Sequence, residues 1–112
     1  MASKAKYVIN DLTELEINEA LDYILNNLKN PEAAKNLYEC ISEKIEQVVL
    51  FPNSGEVYNN EFVADQSIRR IAVKNYYLYY TYDSDKKLVT FVCFTHMTRN
   101  INVIIQELWL NL

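Results

Sequence analysis

Apolar residues recur at helical spacing through the first half of the chain. From residue 13 they form one stripe at intervals of three and four, the pattern of a helix with one buried face: Ile17, Ala20, Leu21, Ile24, Leu25 and Leu28. The segment TELE at 13–16 predicts a capping box in which Glu16 reaches back to the amide of Thr13, with Leu12 and Ile17 as a hydrophobic staple. We therefore predict a helix from Thr13 to about Leu28.

A second helical stripe follows almost without a loop. Asn30 and Pro31 have the pattern of a cap followed by proline at the first helical position. The apolar spacing then continues to about Leu50, through Ala34, Leu37, Ile41, Ile45 and Val48. The segment FPNSG at 51–55 ends this helix, because proline cannot continue it and glycine permits a turn. Two helices joined so closely predict an antiparallel helix hairpin.

After Ser67 the pattern changes to that of β-strands. Three segments rich in β-branched and aromatic residues predict consecutive antiparallel strands, with a turn at 83–87 before the last: Ile68–Val73, Tyr76–Tyr82 and Leu88–Thr95. Residues 7–9 predict an edge strand, 56–65 has weak periodicity, and the apolar tail 100–112 favours a short helix. The predicted fold class is α+β, with the helix hairpin on one face of a twisted, mainly antiparallel sheet whose other face is free.

The composition fits one domain spanning residues 1–112. Half of the residues are apolar, and one glycine and two prolines leave little material for linkers. We find no apolar run of transmembrane length and no signal-peptide core, so we expect a cytoplasmic protein without a membrane partner. Cys40 and Cys93 lie in apolar contexts and are interpreted as buried, reduced residues.

The net charge of −4 hides a difference in sign along the chain. Residues 1–64 carry a net charge of −6, whereas residues 65–100 carry +3. A nucleic acid would therefore have to approach the C-terminal strands, and so few cations predict only weak, salt-dependent affinity for it.

The basic strands also carry the one histidine of the chain, His96. A lone histidine and two scattered cysteines do not make a metal site, and we expect neither a metal nor another cofactor. With Arg99, Arg69 and Arg70 as sources of positive charge, His96 could move the proton in a metal-independent attack on a phosphodiester. The alternative interpretation is a surface histidine without a catalytic function.

Tyrosines are concentrated on the central predicted strand. Strand alternation places one set on one face, Tyr76, Tyr80 and Tyr82, and a second set on the other, Tyr77 and Tyr79. Such rings either stack on exposed bases or serve as core and cross-strand partners, and at least one set should be structural. Arg69 and Arg70 also point to opposite faces, so at most one of them serves a given groove.

The order of these features resembles the RelE/ParE superfamily of toxins from bacterial type II toxin–antitoxin systems, over nearly the whole chain. The matching motifs are the helix hairpin at 13–50, FPNSG at 51–55, an arginine seven residues before a tyrosine (Arg69 to Tyr76), the strand from Tyr76 to Asp83, and His96 with Arg99. The resemblance implies a small cytoplasmic toxin, held inactive by an antitoxin that wraps it and covers the concave face of its sheet.

The superfamily divides by target. RelE-like and YoeB-like members cleave messenger RNA on the ribosome and have an arginine where this chain has Tyr77; the C-terminal catalytic tyrosine of that group is also absent here. ParE-like members poison DNA gyrase by binding and typically combine a long helix hairpin with the closing His and Arg. The resemblance favours a ParE-like toxin that inhibits growth by binding a target such as gyrase.

Two alternatives stay open. One is a ribosome-dependent mRNA endoribonuclease with His96, Arg99, Arg70 and Tyr80 as its catalytic residues, and the other is a degenerate member that only binds its antitoxin. The expected antitoxin surface is the basic rim of the sheet with the apolar tail beyond it: Arg69, Arg70, Lys74, Tyr77, Arg99 and Trp109. Because the toxin is itself acidic, this contact should depend more on apolar burial than on charge. The assembly is either a hetero-oligomer with the antitoxin or a homodimer.

Overall fold

A five-stranded sheet with helices on one face organises the residues that the computed structural model describes, 4–58 and 68–99. The elements in chain order are β1 (Lys6–Ile9), α1 (Asp11–Asp22), a π-helical segment (Tyr23–Asn27), α2 (Pro31–Leu50), β2 (Glu56–Tyr58), β3 (Ile68–Val73), β4 (Tyr76–Asp83) and β5 (Leu88–His96). The strand order is β1-β5-β4-β3-β2, with β1 parallel to β5 and the other neighbours antiparallel. The predicted α+β architecture is confirmed. In the described part no helix is both long enough and apolar enough to span a membrane.

The main core lies between the helices and the sheet. Leu37, Ile41 and Val48 form the buried stripe of α2. They pack in one cluster with buried side chains of the three long strands: Ile71, Val73, Leu78, Tyr80, Val89, Phe91 and Phe94. Burying one large apolar side chain contributes about 1.5–3 kcal/mol to folding, so this stripe accounts for much of the attachment of α2. The apolar residues of α1 are only partly buried against the same cluster.

The first helix begins at Asp11, two residues before the predicted start. Asn10 is its N-cap, and the side-chain oxygen of Asn10 accepts a hydrogen bond from the Thr13 amide at 2.8 Å. The predicted capping box at Thr13 is therefore wrong. Asn10 follows directly after β1, and its amide donates to the Phe91 carbonyl at 3.1 Å. Because this bond to β5 fixes Asn10 beside the strand, the helix is capped at Asn10 and not at Thr13.

Beyond the end of β1, α1 and its N-cap lie along the edge of β5 and bond to its backbone. The register pairs Ile9 with Phe91, which leaves the rest of β5 without a strand neighbour on that side. The side chains of Thr13 and Asn10 donate to the carbonyls of Phe91 (3.1 Å) and Val92 (3.2 Å), and Glu16 Oε1 accepts from the Phe94 amide at 3.2 Å. These bonds satisfy backbone groups that would otherwise form an exposed sheet edge.

The prediction that the sheet face opposite the helices is free is wrong. Four buried side chains form a second cluster there: Ile68, Tyr79, Val92 and Cys93. Tyr58 and Tyr77 pack against this cluster. The register of β4 and β5 shifts between Tyr79, which pairs with Cys93, and Tyr80, which pairs with Phe91. This bulge lets two consecutive residues of β5 face the same cluster.

The predicted limits of the three long strands agree with the structure to within one residue, and the early edge strand is present as β1. Two features lacked a sequence signal. β2 is only three residues long and polar at its start, and the π-helical segment lies inside an ordinary helical stripe. The predicted C-terminal helix at 100–112 lies outside the described residues.

Candidate functional site

His96 ends β5 and opens a tight turn that closes on Arg99. The Arg99 amide donates to the His96 carbonyl at 3.1 Å, and the Met97 amide donates to the Asn75 carbonyl at 2.9 Å. The Thr98 amide donates to Nδ1 of the exposed His96 ring at 3.3 Å. Since an amide can only donate, Nδ1 accepts there, and the proton of the neutral ring is on Nε2. The ring meets Tyr76 edge-on, with 5.4 Å between centroids.

Arg99 is attached to the helix pair through Glu16. One guanidinium nitrogen of Arg99 lies 3.5 Å from Glu16 Oε2. The other carboxylate oxygen of Glu16 accepts from the Phe94 amide, and the Glu16 side chain is only 11 % exposed. Burial raises the pKa of Glu16 above its usual value, while the Phe94 amide and Arg99 act in the opposite direction. Glu16 therefore joins α1, the edge of β5 and the turn after it.

Tyr80 is completely buried and anchors the FPNSG turn. Its hydroxyl donates to the Pro52 carbonyl at 2.8 Å and accepts from the Gly55 amide at 2.9 Å. A Cβ at position 55 would lie 2.6 Å from that hydroxyl, so the close approach requires glycine. Arg69 also serves this turn, donating to the carbonyls of Gly55 (2.8 Å) and Asn53 (3.2 Å). Burial raises the pKa of Tyr80.

Arg70 lies on the opposite face of the sheet, in an aromatic setting. Its guanidinium carbon is 4.0 Å from the Tyr77 ring centroid and 5.2 Å from that of Tyr58. It forms an ion pair with Glu56 and reaches the Tyr79 hydroxyl at 3.5 Å. Burial raises the pKa of Tyr79, and the neighbouring guanidinium opposes that shift. We call Arg70, Tyr58 and Tyr77 the Arg70 patch.

The four residues proposed as catalytic do not form one site. Tyr76 and Tyr80 belong to the cluster under the helices, and the His96 ring contacts Tyr76, so His96 and Tyr80 lie on the helix side of the sheet. Arg70 faces the other side. It pairs with Tyr79, three residues along β4 from Tyr76, which corresponds to roughly 10 Å along the strand. Proton transfer needs groups within hydrogen-bond reach of one substrate atom.

The residues proposed for partner binding are also divided. Arg70 and Tyr77 are adjacent in the Arg70 patch, whereas Arg69 is engaged with the FPNSG turn on the other face. Lys74 lies in the β3–β4 turn with a left-handed φ of 55°, beside the His96 end of the sheet. Trp109 lies outside the described residues.

Among the described residues, no group of three or more His, Cys, Asp and Glu side chains is placed to hold a metal ion. Cys93 is buried next to Glu16, and burial raises the pKa of its thiol, so it is a poor nucleophile. Cys40 is also a free thiol. The sequence predicts only a capping role for Glu16, whereas the structure places it at the contact between α1, β5 and Arg99. The available signal was its position four residues before Ala20, next to the buried stripe, where an ionisable residue requires a partner.

Comparisons with known proteins agree with this architecture. No curated protein sequence matches the chain. A chain of the archaeal RelE–RelB complex from Pyrococcus horikoshii OT3 superposes with a TM-score of 0.59 at 14 % identity, covering 88 % of this chain and 100 % of that one. A chain of the RelBE2 toxin–antitoxin complex from Mycobacterium tuberculosis gives a TM-score of 0.52 at 14 % identity, covering 84 % and 99 % respectively. At such identities the similarity establishes the fold alone.

The sequence itself carries a more specific match. Residues 7–101 match the family model described as the ParE toxin of the type II toxin–antitoxin system parDE. The matched region includes both helices, all three long strands and the turn from His96 to Arg99. This chain therefore belongs to the ParE toxin family of type II toxin–antitoxin systems.

Proposed function

We propose that this ParE-family protein inhibits growth by binding a protein target such as DNA gyrase, and that a cognate antitoxin neutralises it. The observation that carries the proposal is the separation of the candidate catalytic side chains. His96 and Arg70 lie on opposite sides of the sheet, and Tyr80 is buried. A toxin that acts by binding needs an accessible surface but no common site for these groups.

Tyr80 in particular is unsuited to proton transfer. Its hydroxyl already donates to one backbone carbonyl and accepts from one backbone amide. Burial also raises its pKa, which disfavours the phenolate. Arg69 is similarly committed to two carbonyls of the same turn. Tyr80 and Arg69 therefore hold the FPNSG turn against the sheet as one structural unit.

The Arg70 patch is the surface that we assign to antitoxin binding. A guanidinium held over tyrosine rings presents a planar cation with little remaining side-chain freedom. Arginine and tyrosine are also enriched at the centres of protein interfaces. We assign the antitoxin to this patch.

Labelled-precursor incorporation after toxin induction tests the proposed target class. In cells without antitoxin, thymidine incorporation should fall before methionine incorporation, because a gyrase poison stops replication first. Co-expression of the antitoxin should restore both rates. An immediate loss of methionine incorporation, with thymidine incorporation continuing, would contradict the proposal.

One observation favours the endoribonuclease as a second candidate. The His96 ring is exposed, its Nδ1 accepts from the turn so that Nε2 carries the proton, and Arg99 lies in the same turn. The double variant His96→Ala, Arg99→Ala separates the candidates. Under the gyrase proposal it does not alter cellular transcripts, because none are cut by the wild-type toxin. Site-specific transcript cleavage that disappears in the double variant would establish the second candidate.

A further inference from the structure

A cavity of about 480 Å³ lies between the tip of the helix pair and the β3–β4 turn, away from the Arg70 patch. Its floor is mainly apolar, with Ile24 and Leu37 from the helical side and Tyr76 from the sheet. Its volume is within the range of about 300–1,000 Å³ that binding pockets occupy. Neither the family motifs nor the proposed contact at the Arg70 patch accounts for it.

The π-helical segment builds one wall of this cavity. The Leu28 amide donates to the Tyr23 carbonyl at 3.1 Å, which is the five-residue bond of a π turn. Such a bond brings residues five apart to the same side of a helix, so Tyr23 and Leu28 both line the cavity. Yet Tyr23 remains 52 % exposed and Leu28 57 % exposed. Two large apolar side chains at the mouth of an apolar cavity extend it into a surface suited to a polypeptide.

The polar groups at the cavity favour a negatively charged occupant. Lys74 and His96 both line it, and none of the described lining residues is acidic. Within the described part of the chain, Lys74 has no ion pair. His96 Nδ1 is already bound to the turn, which leaves Nε2–H as a donor. In a chain with a net charge of −4, this is a local cationic site over an apolar floor.

We propose that this cavity binds a segment of the antitoxin that inserts one large apolar side chain and places a neighbouring carboxylate against Lys74 and His96. The inference rests on the proposed neutralisation by an antitoxin and adds a second anchoring point to the Arg70 patch. Charge complementarity selects an acidic segment, and the exposed Tyr23 and Leu28 select a polypeptide over a small molecule.

Two short probes test the chemistry of the cavity: N-acetyl-Leu-Glu-amide and N-acetyl-Leu-Gln-amide, titrated into the isotope-labelled full chain and followed by NMR. Shifts should saturate and be confined to the π-helical segment, the β3–β4 turn and His96. The Glu probe should bind about threefold more tightly than the Gln probe, the gain of one partly exposed ion pair. Equal affinities, or shifts elsewhere on the molecule, would overturn the proposal.

Lys74→Ala should abolish the preference for the Glu probe, so that the two probes bind the variant with equal affinity. Lys29→Ala is the matched control. Like Lys74, Lys29 has a positive φ; it lies at the tip of the helix pair beside the cavity but does not line it. Thermal melts of both variants establish that they fold. A preference that survives in Lys74→Ala, or that Lys29→Ala removes equally, contradicts the assignment.

The purified toxin–antitoxin complex identifies the occupant. If the antitoxin fills the cavity, the complex should not take up either probe, and Lys74→Glu should weaken antitoxin binding more than Lys29→Glu does. A complex that binds the probes as well as the free toxin does would overturn the inference. That result would leave the proposed neutralisation intact, since rescue of growth by the antitoxin is measured separately.

Discussion

Replacement of Tyr80 by phenylalanine tests the structural role of this residue against a catalytic one. The substitution keeps the buried ring but removes a hydroxyl that bonds to the Pro52 carbonyl and the Gly55 amide. Each lost hydrogen bond costs about 1 kcal/mol, and a buried group left without a partner raises that cost. We therefore expect a loss of about 2–3 kcal/mol in the free energy of unfolding. For a chain of this size that corresponds to a fall of about 8–12 °C in Tm.

Urea and thermal unfolding of the purified full chain, followed by circular dichroism, measure this loss. Tyr79→Phe is the matched control on the adjacent position, because the Tyr79 hydroxyl makes one long contact of 3.5 Å to Arg70. Its Tm should fall by less than half as much. Growth arrest by Tyr80→Phe should persist at a temperature where the variant is folded. An unchanged Tm combined with complete loss of toxicity would refute the structural assignment and favour a catalytic hydroxyl.

Three further predictions concern single residues. Gly55→Ala should lower Tm by at least as much as Tyr80→Phe, because the added Cβ lies 2.6 Å from the Tyr80 hydroxyl and 2.9 Å from the Arg70 carbonyl; an unchanged melt would contradict this close approach. Arg70→Ala should weaken antitoxin binding by about 2 kcal/mol in calorimetry, with Arg70→Lys intermediate because lysine does not reproduce the planar stacking; equal affinity of all three proteins would remove the Arg70 patch from the interface. The raised pKa of Glu16 means that folding favours its protonated form. The protonated side chain therefore contributes to the stability of the fold below pH 4.5, and this stabilisation is lost as the pH rises through the higher pKa of Glu16 in the folded state. The Tm of Glu16→Gln minus the Tm of the wild type should therefore be higher at pH 7 than at pH 4. A Tm difference that does not change with pH would contradict that reasoning.

The long-range pattern of this fold could be predicted from sequence because each element has a strong local signal. α2 has proline at its first position and an apolar stripe to Val48, and the three long strands have β-branched and aromatic runs between clear turns. Their limits came out correctly for that reason. The start of α1 did not, because Asn10 and Thr13 are both good caps, and only the contact of Asn10 with β5 selects between them.

The candidate site was less predictable because it depends on which faces and edges meet. Sequence alternation correctly separated Arg69 from Arg70, but it did not indicate that Arg69 and Tyr80 hold a turn some 14–28 residues earlier. The second buried cluster was missed because a bulge at Val92 changes which residues of β5 share a face. The cavity beside His96 depends on the π-helical segment, and a single extra residue per turn leaves almost no trace in a hydrophobic stripe.

The cleavage-complex assay with purified DNA gyrase tests the central proposal most directly. The purified toxin, mixed with gyrase and supercoiled plasmid, should cause linear DNA to accumulate after detergent and protease treatment. Addition of the antitoxin before gyrase should abolish that product, and the His96→Ala, Arg99→Ala variant should retain cleavage-complex formation, because the proposed activity requires no proton transfer by these residues. No linear DNA at toxin concentrations that arrest growth, together with ribosome-dependent cleavage of messenger RNA by the same preparation, would contradict the account.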